Sequence, residues 1–290
     1  MAGDWAVAER SVAETIRSSL SSLTPTERRP ALSLLSTYPV AGLGTVAEFA
    51  RRAGVSGPTI LRLTAKLGFA GYPDFQRALR DELELRLQTP LEKAPRRKRG
   101  EPQGDFLAAC GRAITTNVER SLNGISRGEF GKLVERLADA RRRVLLLGGR
   151  FSGTMALHLY QHLRELRPHV ELVAGQSQGW AEHLLDAGRK DVLIVYDIRR
   201  YQDDVVKFAR EAAALGVGVV LMTDLWVSPV AAVARHVFAV RTSVPSSFES
   251  FAALLALNEA LVARLHERLW DRAKGRMQHL EVLRGHLSAE

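Results

Sequence analysis

The sequence is short of several features that would assign it to a class at once. Its 290 residues contain one cysteine, Cys110, so no internal disulfide can form. Its eight histidines are scattered without the spacing of a zinc site, and we expect no bound metal or cofactor. No apolar run approaches the roughly 18 residues that a membrane span needs. The first ten residues include Asp4 and Glu9 and no apolar core, so we expect a cytoplasmic protein without a signal peptide.

Acidic residues are also too few to balance the basic ones. There are 32 Asp and Glu against 41 Lys and Arg, which gives a formal net charge of +9. The first 100 residues carry 16 basic and 10 acidic side chains, so two thirds of the excess lies in one third of the chain. An excess of this kind favours a partner rich in phosphate, although net charge alone says nothing about fold.

A basic run from Lys93 to Gly100 lies between Pro90 and Pro102. Prolines, glycines and like charges in one stretch oppose both helix and strand. We therefore predict a linker at residues 90–104, which separates an all-α domain at 1–89 from an α/β domain at 105–290. Charge blocks are usually solvated linkers, and a secondary contribution to phosphate binding stays open.

Two capping boxes mark helix starts before the linker. Thr24 is followed three residues later by Glu27, and Thr45 is followed in the same way by Glu48. In each box the threonine and the glutamate satisfy each other's backbone N–H groups at the first turn of a helix. Each box therefore predicts a helix that begins at the next residue. Gly54 offers the positive φ that ends the second of these helices.

A third helix is predicted from Gly57 to Leu67, and Ser56 can cap it. Because only Gly54-Val55-Ser56 separates it from the second helix, the pair predicts a helix-turn-helix. Three apolar residues of the third helix recur at helical spacing and are expected to face the core, namely Ile60, Leu63 and Leu67.

The opposite face of the third helix carries Thr59, Arg62 and Lys66 and no acidic residue. In a helix-turn-helix, the second helix enters the major groove with its N-terminal residues at the base edges. We therefore predict that Ser56, Thr59 and Arg62 read bases and that Lys66 contacts a phosphate. The alternative is the solvated face of an ordinary three-helix bundle.

From Asp105 onward short apolar runs alternate with helical stretches. Helices are expected near 106–122 and 128–138, and then at 153–164, 179–186 and 203–215, with strands at 143–149, 169–173, 191–196, 216–223 and 236–240. This alternation predicts a central parallel sheet flanked by helices. Ligands in such sheets bind outside the carboxyl ends of the strands.

The loop after the first strand, residues 148–153, opens a helix. We predict that the backbone of Gly149 and Gly153 and the hydroxyl of Ser152 bind an anion. A dinucleotide fingerprint would need glycine where this loop has Arg150, so the loop does not predict NAD binding.

A second loop follows the third strand and carries Asp197, Arg199, Arg200 and Gln202. Two arginines at the start of a helix lie against the positive end of its dipole, which favours an anion between them. Pairing of the arginines with aspartates of the same loop explains them equally well.

Ser246 and Glu249 fit a capping box for the last long helix. This gives Glu249 a structural reason to exist, and no acid or base partner for catalysis can be named. We read His183 as structural too, and we predict no catalytic residue.

Three segments of the helical part, Leu23–Arg29, Val46–Ser56 and Arg62–Phe75, resemble the N-terminal domain of RpiR/MurR-type bacterial transcriptional regulators. The last contains the family pattern K-L-G-F-x-G-[FY]-x-[DE]-F. The resemblance implies binding to a double-stranded DNA operator. It also implies that Tyr72 and Phe75 pack the following helix against the module.

Residues 130–268 resemble the SIS (sugar isomerase) domain that follows the helix-turn-helix in those regulators. The resemblance implies a homodimer or homotetramer that senses a phosphosugar. The family usually has S-x-S-G-x-T in the second loop, where this chain has Asp197, Arg199, Arg200 and Gln202, so three phosphate-binding hydroxyls are missing. We therefore expect a regulator, not an enzyme, whose effector is a phosphosugar or a sugar-acid-like anion. The alternative is a phosphosugar aldose–ketose isomerase with a helical extension.

Overall fold

The computed structural model describes residues 11–20, 22–87 and 105–288. The chain forms two compact units, one built mainly on residues before 105 and the other on residues from 105 onward. The basic segment predicted as a linker, residues 90–104, lies outside the described residues. No helix among the described residues is both long and apolar enough to cross a membrane.

The described part of the first unit is helical. Its helices are α1 (Val12–Ser19), α2 (Pro25–Ser36), α3 (Val46–Ala53), α4 (Gly57–Lys66) and α5 (Tyr72–Leu87), with a 3-10 turn at Val40–Gly42. Residues 54–56 join α3 to α4, so the predicted helix-turn-helix is present. Its core is formed by fully buried apolar side chains from all five helices, among them Ile16, Leu34, Phe49, Ile60, Leu63, Phe75 and Leu79.

The local signals of the first unit act as predicted. In both capping boxes the threonine hydroxyl accepts from the glutamate N–H and the glutamate carboxylate accepts from the threonine N–H. Gly54 ends α3 at φ 64°, in the left-handed region. Tyr72 and Phe75 at the start of α5 are buried with ring centroids 5.7 Å apart, and the Tyr72 hydroxyl donates to the Gly44 carbonyl at 2.9 Å.

The second unit contains a five-stranded parallel sheet in the order β2-β1-β3-β4-β5. The strands are β1 (Val144–Gly148), β2 (Val170–Val173), β3 (Val192–Asp197), β4 (Gly218–Asp224) and β5 (His236–Val240). The strand order reverses between β1 and β3, where Gly148 lies opposite Tyr196. The loops that follow these two strands therefore flank the crevice in which such sheets bind ligands.

Helices cover both faces of the sheet. They are α6 (Phe106–Gly124), α7 (Arg127–Ala138), α8 (Gly153–Leu166), α9 (Asp203–Ala214) and α10 (Ala252–Ser288), with 3-10 turns at Ser177–Leu184 and Pro229–Ala232. Alternate strand residues such as Val144, Leu146 and Ile194 join the core formed with α7, α8 and α10. The intervening residues point to the opposite face, and α9 packs against β3 and β4.

Two predicted elements differ from the structure. The helix expected at 179–186 is a 3-10 helix, Ser177–Leu184. The last long helix begins at Ala252, not at a capping box formed by Ser246 and Glu249. Glu249 instead makes an ion pair with Arg199 fifty residues away, an interaction that short-range spacing does not reveal.

Candidate functional site

The start of α4 holds a small polar cluster. The Ser56 and Thr59 hydroxyls lie 3.0 Å apart, and the Arg62 guanidinium donates to the Thr59 hydroxyl at 3.3 Å. Ser56 occupies the N-cap position without a side-chain capping bond. Thr59 is 2% exposed, so its expected place on the open face of the helix is wrong. Its hydroxyl is shared between Ser56 and Arg62, which orients the exposed guanidinium.

Lys66 at the end of α4 is tied to α2. Its Nζ donates to the Glu27 carboxylate at 2.7 Å, and the Glu27 side chain is 6% exposed against 46% for Lys66. The hydrogen bond from Lys66, followed by those from Thr24, lowers the pKa of Glu27 to about 2. Lys66 thus stabilises the packing of two helices while half of its side chain stays accessible.

The loop after β1 is drawn tightly against the sheet. A Cβ atom on Gly148 would lie 2.5 Å from the Gly153 Cα, so only glycine fits there. The buried Ser152 hydroxyl donates to the Tyr196 carbonyl at 2.6 Å and accepts from the Gly149 N–H at 3.0 Å. Ser152 therefore attaches the loop to β3 through its hydroxyl.

Gln202 brings the two predicted loops together. Its side-chain carbonyl oxygen accepts from the Arg150 N–H. A Cβ atom on Gly149 would lie 2.5 Å from that oxygen, so the glycine makes room for the amide. The Gln202 oxygen thus occupies a backbone donor of the anion loop, and a ligand oxygen that took its place would meet the same N–H.

Asp197 ends β3 and is 1% exposed. Burial raises the pKa of its carboxyl to about 7, against the lowering effect of hydrogen bonds from the Ser228 hydroxyl and the Gln202 N–H. The neighbouring carboxylates of Asp224 and Asp204 raise this pKa further. Near neutral pH the group therefore carries only part of a negative charge.

Arg199 is anchored by acids from other parts of the unit. Its N–H donates to Asp224 at 2.7 Å, and its guanidinium donates to Glu249 at 2.9 Å. The second Glu249 oxygen accepts from the Thr242 hydroxyl at 2.7 Å, and the Arg199 and Glu249 side chains are 9% and 14% exposed. The arginine is paired, as the alternative to an anion site supposed, but with Glu249 instead of an aspartate of its own loop.

Arg200 has the opposite environment. It adopts φ 62°, which a residue with a Cβ rarely adopts, and its side chain is exposed. Within the described part of the chain, the Arg200 side chain makes no hydrogen bond or ion pair. Of the two arginines in the loop, Arg200 is the one whose charge is open to a ligand.

Two residues at this edge were missed from the sequence. Asp224 ends β4 and accepts from the Tyr201 hydroxyl at 2.6 Å, and Ser228 in the following turn donates to Asp197. Because β4 pairs with β3, the carboxyl-end rule that selected Asp197 would also have selected Asp224. His183 hydrogen-bonds Glu171 at 3.2 Å, away from both loops.

Two family models match this chain. The model of the helix-turn-helix domain of the rpiR family matches residues 10–85, and that of the SIS domain matches residues 136–264. The chain is 28% identical over 142 residues to an uncharacterized HTH-type transcriptional regulator in the aarA 3′ region of Providencia stuartii. That match covers 48% of each protein, so this chain spans about half the length of the curated relative.

Solved structures share the fold at low identity. The sugar isomerase domain of the RpiR transcription factor from Sphaerobacter thermophilus is 24% identical with a TM-score of 0.57, covering 61% of this chain and 99% of that one. The NanR protein of Vibrio vulnificus, complexed with ManNAc-6P, is 19% identical with a TM-score of 0.56, covering 97% and 100%. With its rpiR-family helix-turn-helix followed by a SIS domain, the chain belongs to the RpiR-type proteins.

Proposed function

We propose that this protein is a cytoplasmic transcription regulator that binds operator DNA through α4 and a small anionic metabolite, a phosphosugar or a sugar-acid-like compound, at the loops after β1 and β3. Ligand binding alters its affinity for the operator. The observation that carries the proposal is the presence on one chain of an rpiR-type helix-turn-helix and a SIS domain with polar loops at the reversal of strand order.

Arg62 is the main DNA-reading residue in this proposal. It is exposed, has no acidic partner, and is oriented by the Thr59 hydroxyl. A guanidinium of this kind can donate two hydrogen bonds to a guanine edge in the major groove. Ser56 assists at the N-terminal end of α4, and the half-exposed Lys66 contacts a phosphate more weakly because it is shared with Glu27.

Ligand recognition rests on Arg200 and the loop backbone. The exposed guanidinium supplies the positive charge, and the Arg150 N–H supplies a donor once the Gln202 amide moves aside. The raised pKa of Asp197 reduces the repulsion that a carboxylate at this edge would exert on an anion, and protonated Asp197 can donate to it. The NanR protein complexed with ManNAc-6P makes that phosphosugar the first compound to test.

The isomerase alternative gains no support from the site. A catalytic base has to be free to accept a proton, whereas Glu249 is committed to Arg199 and to the Thr242 hydroxyl. We therefore place this chain among regulators. Turnover of a phosphosugar by the purified protein would reverse that assignment.

The DNA half of the proposal is tested by selecting duplexes from a randomised pool with the full chain. The selected duplex is then used in gel shifts at several salt concentrations. We expect Arg62→Ala to weaken binding about 10-fold or more, because it removes a base contact. Arg112→Ala, which removes the same charge from an exposed position on α6, is the matched control. Equal affinities of the two variants would contradict the assignment of α4.

The ligand half is tested by thermal unfolding of the full chain with ManNAc-6P, other phosphosugars and sugar acids. A compound that binds only the folded state raises the Tm. We expect the active compound to change the gel shift and to lose both effects in Arg200→Ala. Failure of the whole set to raise the Tm would overturn the proposed effector class and leave the DNA assignment intact. Light scattering of the same samples tests the expected homodimer or homotetramer.

A further inference from the structure

Two histidines on α8 and a glutamate on α10 form a cluster outside both loops. His158 and His162 lie four residues apart on α8, and their ring centroids are 4.7 Å apart. The Nε2 atom of His158 lies 3.0 Å from the Glu259 Oε1 atom. One potential ligand atom from each of the three residues lies within 4.8 Å of the others.

This residue set suits a transition metal. Side chains four residues apart project from the same face of a helix, so His158 and His162 present two imidazoles side by side. Imidazole is a preferred ligand of Zn²⁺, Cu²⁺ and Ni²⁺, and two histidines with one glutamate form a known three-residue zinc set that leaves a position for water. Tetrahedral zinc holds its ligand atoms about 3.3 Å apart, so small side-chain rotations close the observed cluster onto an ion.

A plain ion pair explains only part of the cluster. The contact between His158 and Glu259 would satisfy both groups without His162. His162 is nevertheless stacked beside His158, where protonation of both imidazoles would place two like charges in contact. A metal ion uses all three residues with the imidazoles neutral. Because His162 and Glu259 are exposed, an ion can enter from solvent.

We propose that His158, His162 and Glu259 bind one divalent transition metal ion of the Zn²⁺ class and thereby link α8 to α10. The linked helices already pack together, and Asn258 beside Glu259 donates to the Met155 carbonyl on α8 at 3.0 Å. Since α8 begins at the loop after β1, the ion stabilises the helix on which that loop depends.

The test uses the full chain without an affinity tag, stripped with a chelator and dialysed against ZnCl₂. We expect one zinc per chain by elemental analysis and a rise in Tm with zinc. Mg²⁺, which prefers oxygen ligands, should leave the Tm unchanged. We expect His162→Ala and Glu259→Gln each to weaken zinc binding about 10-fold or more. His279→Ala, an exposed histidine on α10 outside the cluster, should bind zinc like the unchanged chain.

Because His162 and Glu259 are exposed, their variants are expected to fold, and the Tm without metal checks this directly. Absence of zinc binding by the unchanged chain would overturn the proposal. So would equal zinc affinity in His162→Ala and His279→Ala, which would mean that the ion binds elsewhere. An equal Tm rise with Mg²⁺ would also contradict it, since a hard cation does not need imidazole ligands.

Discussion

Recognition helix α4 and the loop after β3 each carry two cations that the sequence treats as equivalent, and in each region the structure separates them. Lys66 is joined to the buried Glu27 carboxylate, and Arg199 to the buried Glu249 carboxylate. Arg62 and Arg200 are exposed and have no acidic partner among the described residues. One cation of each pair therefore stabilises the fold, and the other is open to a partner.

The two regions differ in how deeply the structural cation is buried. Lys66 keeps 46% of its side chain exposed, whereas Arg199 keeps 9%. An exposed ion pair contributes little to stability, and a buried one costs much when a single partner is removed. The same exchange of a cation for alanine should therefore have unlike effects at the four positions.

The largest effect is expected at Arg199. Arg199→Ala leaves Glu249 buried without its cation and should lower the free energy of unfolding by about 3 kcal/mol. Arg200→Ala, in the same loop but exposed, is the control and should leave it nearly unchanged. Urea unfolding of the full chain measures both. If the two variants unfolded at the same urea concentration, the distinction between them would be wrong.

The next effect concerns the two cations of α4. Arg62→Ala should cost about 1–3 kcal/mol of specific DNA binding, because a base contact is lost. Lys66→Ala should cost less, and chiefly as a smaller dependence of affinity on salt, because its charge is already shared with Glu27. Gel shifts at several salt concentrations distinguish the two. A larger loss for Lys66→Ala would reverse the roles assigned to these residues.

A third test concerns Asp197, a buried acid whose carboxyl faces no cation in the way that Glu27 and Glu249 do. Its pKa is raised to about 7 in the folded chain, so the folded state favours the protonated form. The corresponding stability is complete below the ordinary pKa of an aspartate and is lost as the pH rises through about 7. We expect the free energy of unfolding to fall from about pH 5 to about pH 8, and to fall less in Asp197→Asn. Urea unfolding across that range decides; equal slopes would contradict the burial effect.

The smallest effect separates the two capping boxes. The pKa of Glu27 is lowered to about 2, so its carboxylate stabilises the fold fully above pH 4.5 and loses that contribution as the pH falls toward 2. Glu27→Gln should lower stability by about 1 kcal/mol at neutral pH through weaker hydrogen bonds, with the difference fading in acid. Glu48→Gln changes the same motif without a lysine partner and should have the smaller effect. Thermal unfolding against pH tests this, and a pH-independent difference would contradict it.

Much of the fold was predictable because its signals are local. A capping box acts over three residues, a glycine at positive φ acts at one, and a buried parallel strand shows as a short apolar run. These signals placed α2, α3, α4 and the five strands within a few residues of their ends. The start of α10 was misplaced because Ser246 and Glu249 have the spacing of a cap, while Glu249 is used by a distant arginine.

The site was predictable only as far as the sheet rules reach. The carboxyl ends of β1 and β3 meet as expected, and Gln202 contacts the loop that contains Gly149. The roles of single side chains were not predictable in the same way. Thr59 looked exposed by helical spacing, but its hydroxyl is buried between Ser56 and Arg62.

By itself the sequence determined the order of domains, the helix-turn-helix, the parallel sheet and the loops at its edge, because each depends on residues close together in the chain. The tertiary structure alone decided which charges are free. Glu27 lies 39 residues from Lys66, and Glu249 lies 50 residues from Arg199. It likewise brought Glu259 to two histidines whose spacing was visible in the sequence without its third member. Charges are neutralised by neighbours in space, and only the folded chain determines which residues become neighbours.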